Sequence, residues 1–278
     1  MAYKDILAPV ITLEADESAL TAAAEIAHAF ETRATALIVA VHVASAFADQ
    51  ERPFSEVLAD VARGTRNAAA LERTKIVDWL EAAVHNFEVR DLTIEAAVDQ
   101  NEVLAHARVT DLVVMARAET HAHARRALIE HVLFEAGRPL LLVPSAPRKP
   151  RAWKRALIGW NAKAQSMRAV SAALPLLQRA EAVAVATVDA LPSRSGHGQA
   201  PGRELAAYLA RHGVQVEVRN LDSMGRTEAR ALLDEAEGFG AEVMVMGAYG
   251  RSRASEFVFG GVTRELLLGS PLPVLMAH

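Results

Sequence analysis

Glycine, arginine and hydroxyl residues gather near the C-terminus: Gly247 and Gly250, Arg251 and Arg253, Gly260 and Gly261, then Thr263. Glycines permit positive φ and let a backbone approach a ligand closely, and guanidinium groups pair with phosphate. The unpaired N–H groups of a helix start attract anions. An apolar run, Val243 to Met246, precedes the group, and a helix-like run, Val262 to Leu268, follows it. Nothing polar alternates in the apolar run, so it reads as a buried parallel strand. Strand, glycine loop and helix start are the parts of a phosphate cradle. Neither the Walker pattern nor G-x-G-x-x-G fits, because no Gly-Lys-Ser/Thr is present and the glycine spacing differs.

Other groupings carry less chemistry. His121-Ala122-His123, with His106 and His131 in the same half, has metal-ligating types. The pair lacks a helical i, i+4 spacing and any cysteine partner, so exposed loop histidines are the better reading and no metal is assigned. No Gly-x-Ser-x-Gly elbow occurs, and no catalytic residue is assigned. The chain has no cysteine, which excludes disulfides, thiolate catalysis and Cys-type zinc or iron–sulfur sites.

The elements that must position these residues alternate. Lys4 to Ile11 reads as a strand, and Asp16-Glu17-Ser18 opens a helix whose body runs from Ala19 to Phe30. Ala36 to Val43 is a second strand, and Val57 to His85 is one long helix or a helix broken at Gly64. A third strand spans Glu88 to Val98, and a short helix Asn101 to Ala107. Asp111 to Met115 is strand, Ala127 to Ala136 helix, and Pro139 to Val143 a fifth strand. Pro144 to Arg151 is a proline-rich basic linker, after which the pattern restarts. Arg155 to Asn161 repeats the first strand, Ser166 to Leu177 the first helix and Val183 to Val188 the second strand. Glu204 to His212 is helix, Val214 to Val218 strand and Thr227 to Ala236 helix, and the signature strand follows. The repeat has a period near half the chain. Alternating strands and helices predict a parallel sheet covered on both faces.

The spacing Gly247-x2-Gly250-x9-Gly260, followed by Leu272-Pro273-Val274-Leu275-Met276, resembles the nucleotide-binding signature of the universal stress protein family. The resemblance covers essentially the whole chain, in tandem. It implies an α/β fold of two flavodoxin-like (adenine nucleotide alpha hydrolase-like) domains, residues 1–146 and 152–278. Each has a five-stranded parallel sheet with helices on both faces, and the two pair as an internal pseudo-dimer through Pro139 to Val143 and Pro273 to Met276. It also implies a site for ATP, ADP or AMP, with or without magnesium, in the second domain. The residues implied are Gly159, Trp160, Asn161, Val188, Met246, Gly247, Tyr249, Gly250, Arg251, Gly260, Gly261, Val262 and Thr263. Two positions depart from the family: Asn161 stands where an adenosine-contacting Asp is usual, and Gly261 where a Ser or Thr is. Trp160 either lines the adenine pocket or caps the sheet, packing being the commoner role of an indole there.

In the first half the same positions are degenerate. Ile11 replaces the Asp, and Val43 after His42 retains the adenine-contacting place. Ala116-Arg117-Ala118-Glu119-Thr120 stands where glycines are needed, and Arg125-Arg126 precede Ala127 near the last glycine position. Arg117, Arg125 and Arg126 read as a solvated loop in preference to an anion site.

A net charge of −4 and a pI near 6.2 make no electrostatic case for nucleic acid or an anionic membrane. The N-terminal apolar stretch is too short for a signal-peptide core, and the run Ala34 to Ala48 falls short of a membrane span. A cytoplasmic, nucleotide-binding regulator of the stress response is expected, with an unnamed protein partner and a homodimer left open. A slow ATPase or phosphotransferase ranks below it, because it needs a metal-holding carboxylate that Asn161 does not supply, although Glu256 in the loop is a substitute. A scaffold without nucleotide, or with another small ligand, is the third reading.

Overall fold

The computed structural model of the chain describes residues 2–42, 54–83, 87–95, 101–117, 123–145, 153–193, 196–248 and 261–278. The first half runs β1 (Asp5–Val10), α1 (Leu13–Ala29), β2 (Arg33–His42), α2 (Phe54–Ala83), β3 (Phe87–Glu95), α3 (Asn101–Arg108), β4 (Leu112–Ala116), α4 (His123–Glu135) and β5 (Leu140–Val143). The second runs β6 (Arg155–Gly159), α5 (Ala164–Arg179), β7 (Ala182–Val188), α6 (Arg203–Arg211), β8 (Val216–Leu221), α7 (Glu228–Phe239), β9 (Val243–Gly247), α8 (Gly261–Gly269) and β10 (Val274–Ala277).

All ten strands form one sheet in the order β3-β2-β1-β4-β5-β10-β9-β6-β7-β8. Every neighbouring pair is parallel except β5 and β10, which run antiparallel with Leu142 opposite Val274 and Leu140 opposite Met276. The inner strands are apolar on both sides because each faces two cores, whereas the edge strands β3 and β8 carry charged residues such as Arg90, Asp91, Glu217 and Arg219. Ile6, Ala8, Leu112, Val114 and Leu141 point to the layer of α1, α2, α5 and α6. Leu7, Val113, Leu140 and Leu142 point to the layer of α3, α4, α7 and α8. Both cores run across the two halves without interruption. Polar contacts cross as well: the Tyr3 hydroxyl donates to Ala172 O at 2.7 Å, and Arg117 Nη1 donates to Ser270 O at 2.7 Å. Pro175 lies inside α5, where its ring removes an N–H from the helix ladder close to the turn that accepts from Tyr3.

The elements lie where the sequence places them, with several shifts. Helix α1 begins at Leu13, three residues before Asp16, because Thr12 caps it by accepting from Ala15 N at 3.4 Å. Helix α2 passes through Gly64 without a break. One glycine costs about 1 kcal/mol against alanine, too little to interrupt a helix of good formers on either side. Helix α4 starts at His123, four residues earlier than expected, so Arg125 and Arg126 are helical and not in a loop. Strand β8 lies at Val216–Leu221, displaced from the expected Val214 to Val218. The third strand is described only to Glu95, and Val43 lies outside the described residues.

Candidate functional site

In each half the strand order reverses next to the first strand, between β1 and β4 and between β6 and β9. Ligands in open α/β sheets bind at such switch points, beyond the carboxyl ends of the strands. In the second half a cavity of about 550 Å³ lies there. Gly159, Trp160 and Asn161 at the end of β6, Val188 at the end of β7, Met246 and Gly247 of β9, and Gly261, Val262 and Thr263 of α8 all line it. These are nine of the thirteen residues expected from the sequence. The other four, Tyr249, Gly250, Arg251 and Gly260, lie outside the described residues, as do Arg253 and Glu256.

Local chemistry explains how these residues are held. The Asn161 Oδ1 accepts from the Ser166 hydroxyl and from Lys163 N, which ties the end of β6 to the first turn of α5. With its carbonyl so used, Asn161 presents its amide donors. Gly247 is required for a reason other than ligand approach. A Cβ there would stand 2.6 Å from Gln165 C, so the glycine admits the backbone of α5 against β9. Gly261, in contrast, has open space where a Cβ would stand. Thr263 is buried, in the first turn of α8, and the first residues of that helix, at the positive end of its dipole, line the cavity. Trp160 lines the cavity and also packs on the core.

Sequence reasoning missed several lining residues. Thr227 caps α7 through Arg230 N at 3.1 Å, and its hydroxyl donates to Glu265 Oε1 at 3.1 Å. Glu228, Glu265 and Asp189 bring carboxylates to the cavity, against Lys163. The Ser223 hydroxyl and backbone N–H hold Asp189 below the usual carboxylate range. His197 also lines the cavity; its Nδ1 is buried without a hydrogen-bond partner among the described residues, and burial lowers its pKa. These residues come from the starts of α7 and α8 and from the segment after β7, which only the fold brings together. Among the described residues no three His, Asp or Glu side chains come together to hold a metal ion.

The sequence of this half decides its kinship, since residues 152–278 match the profile of the Universal stress protein family. Residues 152–278 belong to the universal stress protein family. No curated protein sequence matches the chain. Among solved structures it is similar to a universal stress protein from Archaeoglobus fulgidus DSM 4304, with a TM-score of 0.62 and 16% identity over 98% of this chain and 95% of that one. It is similar also to a putative universal stress protein from Pseudomonas aeruginosa UCBPP-PA14, with a TM-score of 0.56 and 16% identity over 99% and 93%. These likenesses establish the fold over both halves, in which the universal stress protein half is preceded by a second copy of the same architecture.

That first copy has a different switch point. Asp16 follows the start of β1 at Asp5 by the same eleven residues by which Ser166 follows the start of β6 at Arg155. Its carboxylate is fully buried and accepts from Ile11 N at 2.7 Å and from Thr12 N at 3.3 Å. Arg125 in the first turn of α4 grips it with both terminal nitrogens, Nη2 at 2.9 Å from Oδ2 and Nη1 on Oδ1. Arg125 is 8% exposed, which corrects its reading as part of a solvated loop. Arg126 pairs with Glu130 at 3.2 Å, and Arg117 is committed to Ser270, so neither is a loose loop charge. Sequence alone gave no sign that Asp16 and Arg125 meet across 109 positions. Ile11 lies beside this pair, while Ala118, Glu119, Thr120 and His121 lie outside the described residues.

Proposed function

We propose that the universal stress protein half binds ATP or a related adenine nucleotide, and that the protein is a stress-response regulator whose occupancy a protein partner reads. The observation that supports this is the cavity at the β6/β9 switch point, lined by glycine and helix-start residues together with the apolar Val188 and Leu232. The amides of Gly261, Val262 and Thr263 suit phosphate oxygens, the apolar wall suits a base, and the Asn161 amide donors suit a ligand acceptor. Arg251 and Arg253, outside the described residues, carry the sign of charge that a phosphate needs. With or without magnesium, the nucleotide is held chiefly by backbone groups.

Slow hydrolysis is the second reading, and the three carboxylates favour it over what the sequence alone offered. Among the described residues they do not gather into one metal-holding group. Mass spectrometry of the small molecules released from purified, denatured protein tests the proposal. Adenine nucleotide at near-stoichiometric amount is the expected result. A different molecule, together with no heat on titrating ATP, overturns it. Turnover of ATP on the order of 1 per second or faster selects the enzymatic reading.

A further inference from the structure

We propose that the first half contains an anion site equivalent in placement to the one in the second half, permanently filled by the protein's own Asp16 carboxylate. For the first half the argument stands on the ion pair; for the comparison it rests on the nucleotide reading of the second half. An arginine in the first turn of a helix adds positive charge to the positive end of the dipole, an arrangement that demands an anion. Arg125 is such a residue, buried and almost shut off from solvent. The anion it meets also takes two N–H groups at the end of β1, where a strand-end and helix-start site for an oxyanion is expected. Two guanidinium donors and two backbone amides around two oxygens are the donor set of a phosphate-class site, and a side chain four residues into α1 supplies the oxygens.

The described residues of the second half show no counterpart of this pair. Ser166 replaces the carboxylate, and its hydroxyl is used to fasten Asn161. The consequence is an asymmetry between two copies of one fold. In the first, α4 is held to α1 in every state of the protein. In the second, the start of α8 waits for an anion from outside. Ligand occupancy therefore reorganises the second half alone, and the first serves as its fixed base.

Hydrogen exchange on the full chain tests this, following the first turns of α4 and α8 with and without ATP. ATP is expected to slow α8 by about tenfold or more and to leave α4 unchanged. In Asp16→Ser, which copies the second half, α4 should exchange about tenfold faster or more, and millimolar inorganic phosphate should restore its protection. In Arg125→Lys, which loses the two-pronged grip but keeps Asp16 in place, α4 should also exchange faster, and phosphate should restore nothing. If Asp16→Ser does not fold, this second variant and the wild-type response to ATP still decide. ATP slowing α4 in the wild type, or either variant leaving α4 unchanged, overturns the proposal. An α8 that ignores ATP while α4 behaves as described overturns the nucleotide reading and leaves the first-half site standing.

Discussion

Gly261 and Gly247 are both glycines at one cavity, and the structure separates what each contributes. A Cβ on Gly261 meets nothing within 4 Å, so Gly261→Val should fold normally while placing two methyl groups where a ligand must pass. Titration calorimetry is expected to show ATP affinity lowered at least about tenfold, or about 1.4 kcal/mol. Unchanged affinity would place the ligand elsewhere. Tyr3 makes a second residue-scale case. Burial raises its pKa above the ordinary 10.0, with Asp111 adding to the effect. The unfolded chain then loses the Tyr3 proton before the folded one does, so stability is intact below pH 10.0 and falls as pH rises beyond it. Urea unfolding across that range should show a steeper alkaline loss for wild type than for Tyr3→Phe. The variant itself costs about 1 kcal/mol at neutral pH, since Ala172 O loses its donor.

Among the elements, helix α5 is seated directly on β9 at Gly247. Gly247→Ala places a Cβ 2.6 Å from Gln165 C, against backbone that no rotamer change relieves. We expect a loss of about 1–3 kcal/mol in unfolding free energy, together with a disturbed cavity, because Ser166 and Asn161 travel with that turn. A chemical-denaturation curve matching wild type would contradict the packing argument. The same elements show what can be read from sequence. The buried parallel strands were legible because runs such as Val243–Met246 and Leu140–Val143 carry no polar alternation. Sequence leaves α2 open between one long helix and one broken at Gly64, since a local propensity cannot be weighed without the thirty-residue helix around it. The start of α4 was misread because its first residues carry no capping signal, and what fixes Arg125 is a carboxylate 109 positions away. For the same reason the glycine and strand-end residues of the cavity could be named in advance, whereas Glu228, Glu265 and His197 depend on how α7, α8 and the segment after β7 pack.

At the scale of the whole molecule, two cores and one ten-stranded sheet cross from half to half. The halves should therefore unfold together. Native-state hydrogen exchange is expected to place residues 140–143 and 274–277 among the slowest amides. Fast exchange at either segment would mean that the seam opens independently of the cores.

The antiparallel junction of β5 with β10 has a consequence for symmetry. Were these two strands contributed by identical chains, any substitution would appear on both sides of the two-fold axis at once. A carboxylate and a guanidinium suited to sealing one switch point would then seal the other as well. With both strands in a single chain, each position is written separately, and Asp16 can stand opposite Arg125 while Ser166 leaves its own side open. Joining the strands also makes their meeting independent of dilution, since neither can diffuse from the other. One chain thus holds a permanently neutralised copy and a receptive copy in fixed proportion, an inequality that two equal subunits cannot encode.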